Sequence, residues 1–579
     1  MFTGLATAFL LVIVPATQAR GAAAQPVQAG AVDSGVSASL RGLAAARRFE
    51  AMRWPDVSDA RASLRGLYEA NGWQPLFLDS TGRPTAATRA LVQRFLALET
   101  HGINPADFNA AVHDSLLAML ERGDTGWSDA ERAAFDARLA VDAIRYVAAM
   151  QYGRARLRWV DDTVNVGKGI LTVRRAPMDV GSVITTMRIS PEPATVLFQL
   201  EERSPAYRRL QAALARYRML AADSALTTLP PLPARLAPGQ RYAGASSLRR
   251  LLVALGDLPD TLAVPPVEGD TLYDAILVRG VKRLQQRENL TPHDGIIAKN
   301  TAARLANPFA TPMRAIVMTM ERMRALPPPP ADSIWIRVNI PEFRMRVMEP
   351  AADGPPPVAM KVVVGGRGRN ETPELAGTLN MIVFSPTWRV PPRIIRDEIV
   401  PKALGDSMYL TRQGMELVRK GKVVPATPEN LALVGDSIGV RQRPGDVNAL
   451  GNVKFIFPNP YGVYLHDTPT KSTFQRANRA ESHGCVRLAD APSLAAWLLR
   501  ADSAWTENRM KEAMASPEPV DVTLGEGVPV RLVYETAVPR EDGGVDFIAD
   551  VYGRDRSMEV ALQQGYPYPS QQVPLVRKK

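Results

Sequence analysis

Cysteine is almost absent from this chain: 579 residues contain one, Cys485. An internal disulfide is thereby excluded, and a lone thiol in an oxidising compartment risks mispairing and oxidation. Histidine is scarce too. Its five residues form no cluster at metal-ligand spacing, so neither a metal nor a cofactor is expected. Long apolar runs are missing. The run Leu5 to Val14 is too short to span a bilayer comfortably, and no later stretch is apolar enough for a transmembrane helix. No block of five or six consecutive basic residues occurs, and no RNP or zinc-finger motif. That argues against nucleic acid as a partner even at a formal net charge of +11. Such a charge suits a polyanionic neighbour, a cell wall or an anionic membrane surface, without choosing between them.

What is present reads as an exported protein of several domains. Hydrophobic residues at 46% and charged residues at 22% make an ordinary globular composition rather than a disordered one. The length calls for roughly two to four domains. Leu5–Val14, then Pro15, then Ala22-Ala23-Ala24 before Gln25 give the apolar core and small-residue cleavage site of a secretory leader over residues 1–24. No Lys or Arg precedes the apolar run, so an uncleaved anchor, with inner-membrane association, stays open.

Residues 25–45 are small and Gly/Ala/Ser-rich, which predicts a linker. From 46 to 238 the chain is predicted mostly helical. Its clearest helix starts at Ser204, a good N-cap, with Pro205 at the first helical position. Tyr207, Leu210, Leu214 and Tyr217 then recur at steps of three and four. Pro230, Pro231, Pro233 and Pro238 break the pattern. Residues 239–306 predict a compact helical unit, with helices around Leu248–Leu255, from Leu272 to Gln286 and from Asn300. A further helix over about 312–325 runs into Pro327–Pro330, a stiff boundary that closes the stretch 307–330. Beyond it the texture changes to strands: Ile334, Ile336 and Val338 alternate with polar neighbours, and Met360–Val364 and Leu379–Phe384 follow. Residues 396–447 are polar and helix-leaning, an inserted subdomain, before strands return at Val453–Phe457 and Val463–Leu465. The expected fold is multidomain α+β, with a β-rich domain over 331–562 and an unassigned tail over 563–579.

The chemistry concentrates in Tyr464-Leu465-His466-Asp467 and Ser482-His483-Gly484-Cys485-Val486-Arg487-Leu488. An ordinary thiol is only a few per cent thiolate at neutral pH, so a nucleophilic cysteine wants a base nearby. Two of the five histidines lie within 19 residues of the only cysteine. His466 ends a predicted strand, a rigid mount facing the loop that bears Cys485. Gly484 permits a turn tight enough to aim backbone N–H groups at one point. The bland alternative is a loop histidine and a buried, inert cysteine serving as a small hydrophobe. His101, His113 and His293 lie in loops or helix ends without such a partner.

His466, a gap, and Ser482-His483-Gly484-Cys485 together resemble the signature of the L,D-transpeptidase catalytic domain of the YkuD type. Val364-Gly365, Thr372-Pro373, Trp388 with Pro391-Pro392, and Asn448–Gly451 before Lys454-Phe455 resemble its framework segments. The resemblance is to the large members of Gram-negative envelopes and covers most of the chain. Residues 46–238 and the helix after 306 are similar to their scaffold domain, 239–306 to a peptidoglycan-binding helical module, and 396–447 to a capping lid. Ser385, where the family has Asn, departs from the pattern.

The resemblance implies a periplasmic enzyme whose partners are the donor and acceptor stem peptides of peptidoglycan. Cys485 would attack the donor carbonyl between meso-diaminopimelate and D-alanine, with His466 as base and then acid. N–H groups near Gly484 and Cys485 would hold the oxyanion. Tyr464 and His483 would line and order the site, and Ser482 would orient a ring or close the turn. Arg487 would meet a substrate carboxylate, or else serve a structural salt bridge. Transfer to a second diaminopimelate would give a 3→3 cross-link, and carbapenems would acylate the thiol. Resolution by water instead would make a carboxypeptidase or an amidase acting on wall-linked proteins.

Overall fold

The computed structural model describes residues 35–567 apart from 124–125, 155–162, 167–168, 173–179, 203, 260, 262–270, 289, 326–333 and 350–355. The leader 1–24, the first part of the linker, Pro327–Pro330 and the end of the tail lie outside the described residues.

The helical half is built as its patterns require. Ser204 accepts the Tyr207 N–H at 3.3 Å and caps the helix Pro205–Ala222, which buries Tyr207, Leu210, Leu214 and Tyr217. A capping box of Ser128 and Glu131 opens the long helix Asp129–Tyr152, the spine of the first hydrophobic core. The linker reading of 25–45 fails where the structure can be compared with it. Gly35–Ala45 is a helix that buries Leu40 and Ala44 in that core. Its alanines, taken as linker residues, are the best helix formers. Val36, Leu40, Leu43 and Ala44 supply the apolar stripe.

Helices Ala245–Ala254, Ala275–Arg287 and Lys299–Ala306 make up the 239–306 unit. The unit does not keep a core to itself. Its Leu248, Leu252, Leu277 and Leu284 share one with Tyr207 and Leu210 of the preceding helix and with Ile316 and Met320 of the helix Ala310–Ala325. No helix among the described residues is long and apolar enough to cross a membrane.

The strands are β1 (Thr163–Val166), β2 (Gly169–Thr172), β3 (Trp335–Asn339), β4 (Arg344–Met348), β5 (Ala359–Gly365), β6 (Leu375–Phe384), β7 (Trp388–Arg389), β8 (Met415–Arg419), β9 (Lys422–Val424), β10 (Gly439–Gln442), β11 (Val453–Ile456), β12 (Leu465–His466), β13 (Ala480–Ser482), β14 (Val486–Leu488), β15 (Val520–Val533), β16 (Ala537–Pro539) and β17 (Val545–Phe547). Nine of them form one sheet in the order β13-β5-β14-β12-β11-β6-β15-β3-β4, and a β4–β5 pairing closes it into a barrel. Closure leaves few open edges and encloses Ile336, Val362, Leu379, Phe455, Leu465, Val486 and Leu532.

The insertion carries the helices expected over 396–447, among them Val400–Gly405, Tyr409–Arg412 and Pro428–Ala432, but strands lie between them. It holds a four-stranded sheet, β7-β10-β8-β9, starts already at Trp388, and has its own cluster of Val390, Ile395, Ile399, Leu417 and Val440. Its strands were hard to see because charged residues interrupt them, as in Met415-Glu416-Leu417-Val418-Arg419.

The C-terminus also departs from expectation. The boundary at 562 and the unassigned tail give way to a return onto the helical half. Ala537, Val545 and Phe547 of the β16–β17 hairpin join the helical core, and Met558, Leu562 and Tyr566 join the first core. Arg145 lies over the Tyr566 ring at 4.5 Å. Arg322 of the helix Ala310–Ala325 pairs with Asp555 at 2.5 Å where both are buried. Helical half and barrel are thus tied together at both ends of the barrel sequence.

Candidate active site

Alternation along three neighbouring strands sets the site. Val453, Phe455, Leu465 and Val486 point into the barrel core, so Lys454, Tyr464, His466, Cys485 and Arg487 take the opposite face. The register pairs Lys454 with His466 and His466 with Arg487. The imidazole therefore stands in a row between two cations. Tyr464 and Cys485 lie one step back along the same strands, where the Val486 N–H bonds the Tyr464 carbonyl at 3.1 Å.

His466 is buried, and its Nδ1 meets the Asp467 carbonyl at 2.5 Å. That contact makes Nδ1 the protonated nitrogen and leaves Nε2 as the basic one. Burial, then the charge of Arg487, and further that of Lys454, lower its pKa from 6.5 to about 3 against the pull of the Asp467 and Leu450 carbonyls. The ring is neutral at physiological pH.

Cys485 is half-buried. Burial raises its thiol pKa, and this outweighs hydrogen bonds from the Tyr464 amide and hydroxyl and the charges of Lys454 and Arg487. The thiol also faces the Gly462 carbonyl at 4.0 Å. Tyr464 is itself held: Lys454 Nζ lies 4.0 Å over its ring, its ring packs edge-on to His466, and Trp388 hydrogen-bonds its hydroxyl. His466 and Cys485 share one face, yet among the described residues no hydrogen bond joins them. The thiol donates to the Gly462 carbonyl, and the sulfur accepts from Tyr464.

Each remaining candidate has a definite place. Ser482 closes the turn: its hydroxyl donates to the Cys485 carbonyl at 2.6 Å and accepts the Gly484 N–H at 3.2 Å. Gly484 has φ +117°, a conformation side-chain-bearing residues rarely adopt. Because its N–H is spent on Ser482, the Cys485 N–H is the amide left, among the described residues, without an acceptor and open to an incoming oxyanion. His483 turns from the thiol to the inserted subdomain, where Nε2 meets Glu398 at 2.5 Å. A cavity of about 220 Å³ opens there, lined by Arg369, Asn370, Arg393, Asp397, Glu398 and His483. Arg487 forms no ion pair among the described residues, its Nε is buried without a partner, and burial lowers its pKa. His101 and His113 are core residues bonded to Tyr207 and Asp142. His293 is exposed in a loop. No group of residues able to hold a metal occurs among the described residues.

Sequence reasoning missed what Lys454, Trp388 and Thr372 do. All three were visible as framework residues, but their roles depend on register and chain return, which no motif spells out.

The class of molecule is a helical body joined to a closed β-barrel that carries a half-buried thiol on the same face as a neutral imidazole. Comparison shows what it is similar to. The model of the L,D-transpeptidase catalytic domain, YkuD, matches residues 333–522, and that of the scaffold domain matches 62–214. Residues 333–522 are thus similar to the YkuD L,D-transpeptidase catalytic domain, and residues 62–214 to a scaffold domain. It is 34% identical over 249 residues to a Haemophilus influenzae protein named "Putative L,D-transpeptidase", a match covering 42% of this chain. The chain spans about half of that relative's length, 49%. Solved L,D-transpeptidase structures from Stackebrandtia nassauensis and Xylanimonas cellulosilytica each share 14% identity over 52% of this chain. The matches cover 97% and 100% of those chains at TM-scores of 0.19 and 0.15, too low to add to the assignment.

Proposed function

We propose that the protein is a periplasmic L,D-transpeptidase that forms 3→3 cross-links in peptidoglycan through a thioester on Cys485. The observation that carries this reading is the loop geometry: a half-buried thiol whose own N–H has no acceptor among the described residues, on the same face as a histidine with Nδ1 committed elsewhere. Cys485 Sγ attacks the donor carbonyl between meso-diaminopimelate and D-alanine while its proton passes to His466 Nε2. The Cys485 N–H receives the developing oxyanion. The C–N bond then breaks, His466 returns the proton to the departing D-alanine amine, and the thioester remains. The side-chain amine of an acceptor diaminopimelate attacks it, forms the amide and restores the thiol. Arg487, half-buried and in no ion pair among the described residues, receives a substrate carboxylate.

Thiol and imidazole both rest neutral in the free protein. The proton therefore moves as the carbonyl is attacked rather than lying beforehand as a stable thiolate–imidazolium pair. Because the thiol donates to the Gly462 carbonyl, engaging His466 requires its proton to turn from that carbonyl toward Nε2.

Incubation with purified tetrapeptide-stem muropeptides tests the reading. Cross-linked dimers with release of D-alanine are expected. Tripeptides alone would replace transfer with hydrolysis, and full activity in Cys485→Ala would end the thioester mechanism.

A further inference from the structure

Thr372 lies 113 residues before the cysteine and is wholly buried. Its hydroxyl donates to the Gly484 carbonyl at 2.8 Å and accepts the Gly365 N–H at 2.8 Å. The loop 366–371 must fold tightly back on the end of β5 to bring it there. At Gly365 a Cβ would come within 1.9 Å of the Asn370 carbonyl oxygen, so only glycine fits. Two further contacts fix Thr372 itself. The Tyr552 hydroxyl accepts its N–H at 3.3 Å and donates to the Gly365 carbonyl at 2.5 Å. Arg554 donates to its carbonyl at 3.0 Å, and also to Glu371 at 3.0 Å and Glu374 at 3.2 Å.

In a trans peptide the carbonyl of one residue and the N–H of the next point in opposite directions. Pinning the Gly484 carbonyl to Thr372 therefore turns the Cys485 N–H away from Thr372. The next peptide is pinned as well, its carbonyl by Ser482 and its N–H by the Tyr464 carbonyl. With both flanking planes held, the Cys485 N–H has one direction and, among the described residues, no acceptor along it.

We infer that Thr372 is a positioning residue for acyl transfer: its hydroxyl orients the Gly484–Cys485 peptide so that the Cys485 N–H is presented to the oxyanion. The inference rests on the proposed Cys485 chemistry. A merely structural threonine would affect every reaction of the thiol alike. An orienting one affects reactions that pass through a tetrahedral oxyanion and spares those that do not.

The test uses the full chain, its Thr372→Val and Thr372→Ser variants, and two reagents for Cys485. Acylation by p-nitrophenyl acetate needs an oxyanion, whereas alkylation by iodoacetamide needs only the thiolate. Thr372→Val is expected to slow acylation by about 10²-fold, the loss typical of one missing oxyanion donor. Alkylation should stay within about twofold, and Thr372→Ser, which keeps the hydroxyl, should recover most of the acylation rate. Unchanged acylation in Thr372→Val, an equal fall in both reactions, or no recovery in Thr372→Ser would each overturn the inference. Kinetics with tetrapeptide muropeptides separate it from the functional reading. A loss in kcat with little change in KM supports both. Muropeptides untouched by the wild type, with the selective acylation defect intact, would sink only the proposed substrate.

Discussion

At the scale of single residues, the row Lys454–His466–Arg487 sets the protonation of the site. Arg487→Gln removes the nearer cation, so the His466 pKa should rise from about 3 toward 6.5, readable by NMR titration of the ring. If Arg487 also receives a carboxylate, KM for stem peptides should rise in the same variant. Tyr464→Phe removes a hydrogen bond that favours the thiolate. The thiol pKa should then climb further, moving the pH profile of iodoacetamide alkylation to higher pH. An unmoved profile would mean that the phenol does not stabilise the thiolate.

His466 also links stability to pH. Above pH 6.5 it is neutral in both folded and unfolded chains and has no differential effect. As pH falls below 6.5 the unfolded chain takes up a proton that the folded protein refuses until about pH 3, so stability is lost over that window. His466→Gln should flatten the stability profile between pH 6.5 and 4 in urea denaturation. A slope equal to that of the wild type would show that the ring is not held neutral.

At the scale of elements, the sheet of the inserted subdomain has a core apart from the barrel's. Leu417→Ala opens a cavity in that core, a change that typically costs about 2–5 kcal/mol. Hydrogen exchange should speed up across 388–442 while the barrel strands keep their protection. Equal loosening of both would show that they open as one unit. The elements also mark what the sequence made legible. The helix capped by Ser204 was readable because cap, proline and apolar spacing agree locally. The strand ending at His466 and the turn through Gly484 were readable for the same reason. The strands of the insertion were not, since Leu417 and Val440 meet only in the folded subdomain and charges break their alternation. Nor was the cationic flank of His466, because pairing Lys454 across β11 is a property of register and not of spacing along the chain.

At the scale of the whole molecule, the C-terminal return binds the barrel to the helical half. Tyr552 and Arg554 reach the loop that bears Cys485 through Thr372, while Arg322 and Asp555 join the two halves in a buried pair. Breaking such a pair leaves a charge without its partner, at a typical loss of about 3–5 kcal/mol. Asp555→Ala should therefore lower the unfolding midpoint markedly, and Arg322→Met combined with Asp555→Leu should recover part of it. No recovery in the pair would assign the loss to packing alone. This long-range closure was invisible in sequence: Tyr566 lies at the end of the chain, yet it packs on Phe108 and Arg145 of the first domain.

The central claim is that the acyl group passes through Cys485, and intact-protein mass spectrometry of samples quenched during turnover tests it most directly. The account predicts one adduct of donor-stem mass less D-alanine, mapped to the peptide carrying Cys485 and absent from Cys485→Ala. Product accumulating with no adduct at any time, in a variant lacking the thiol, would contradict it.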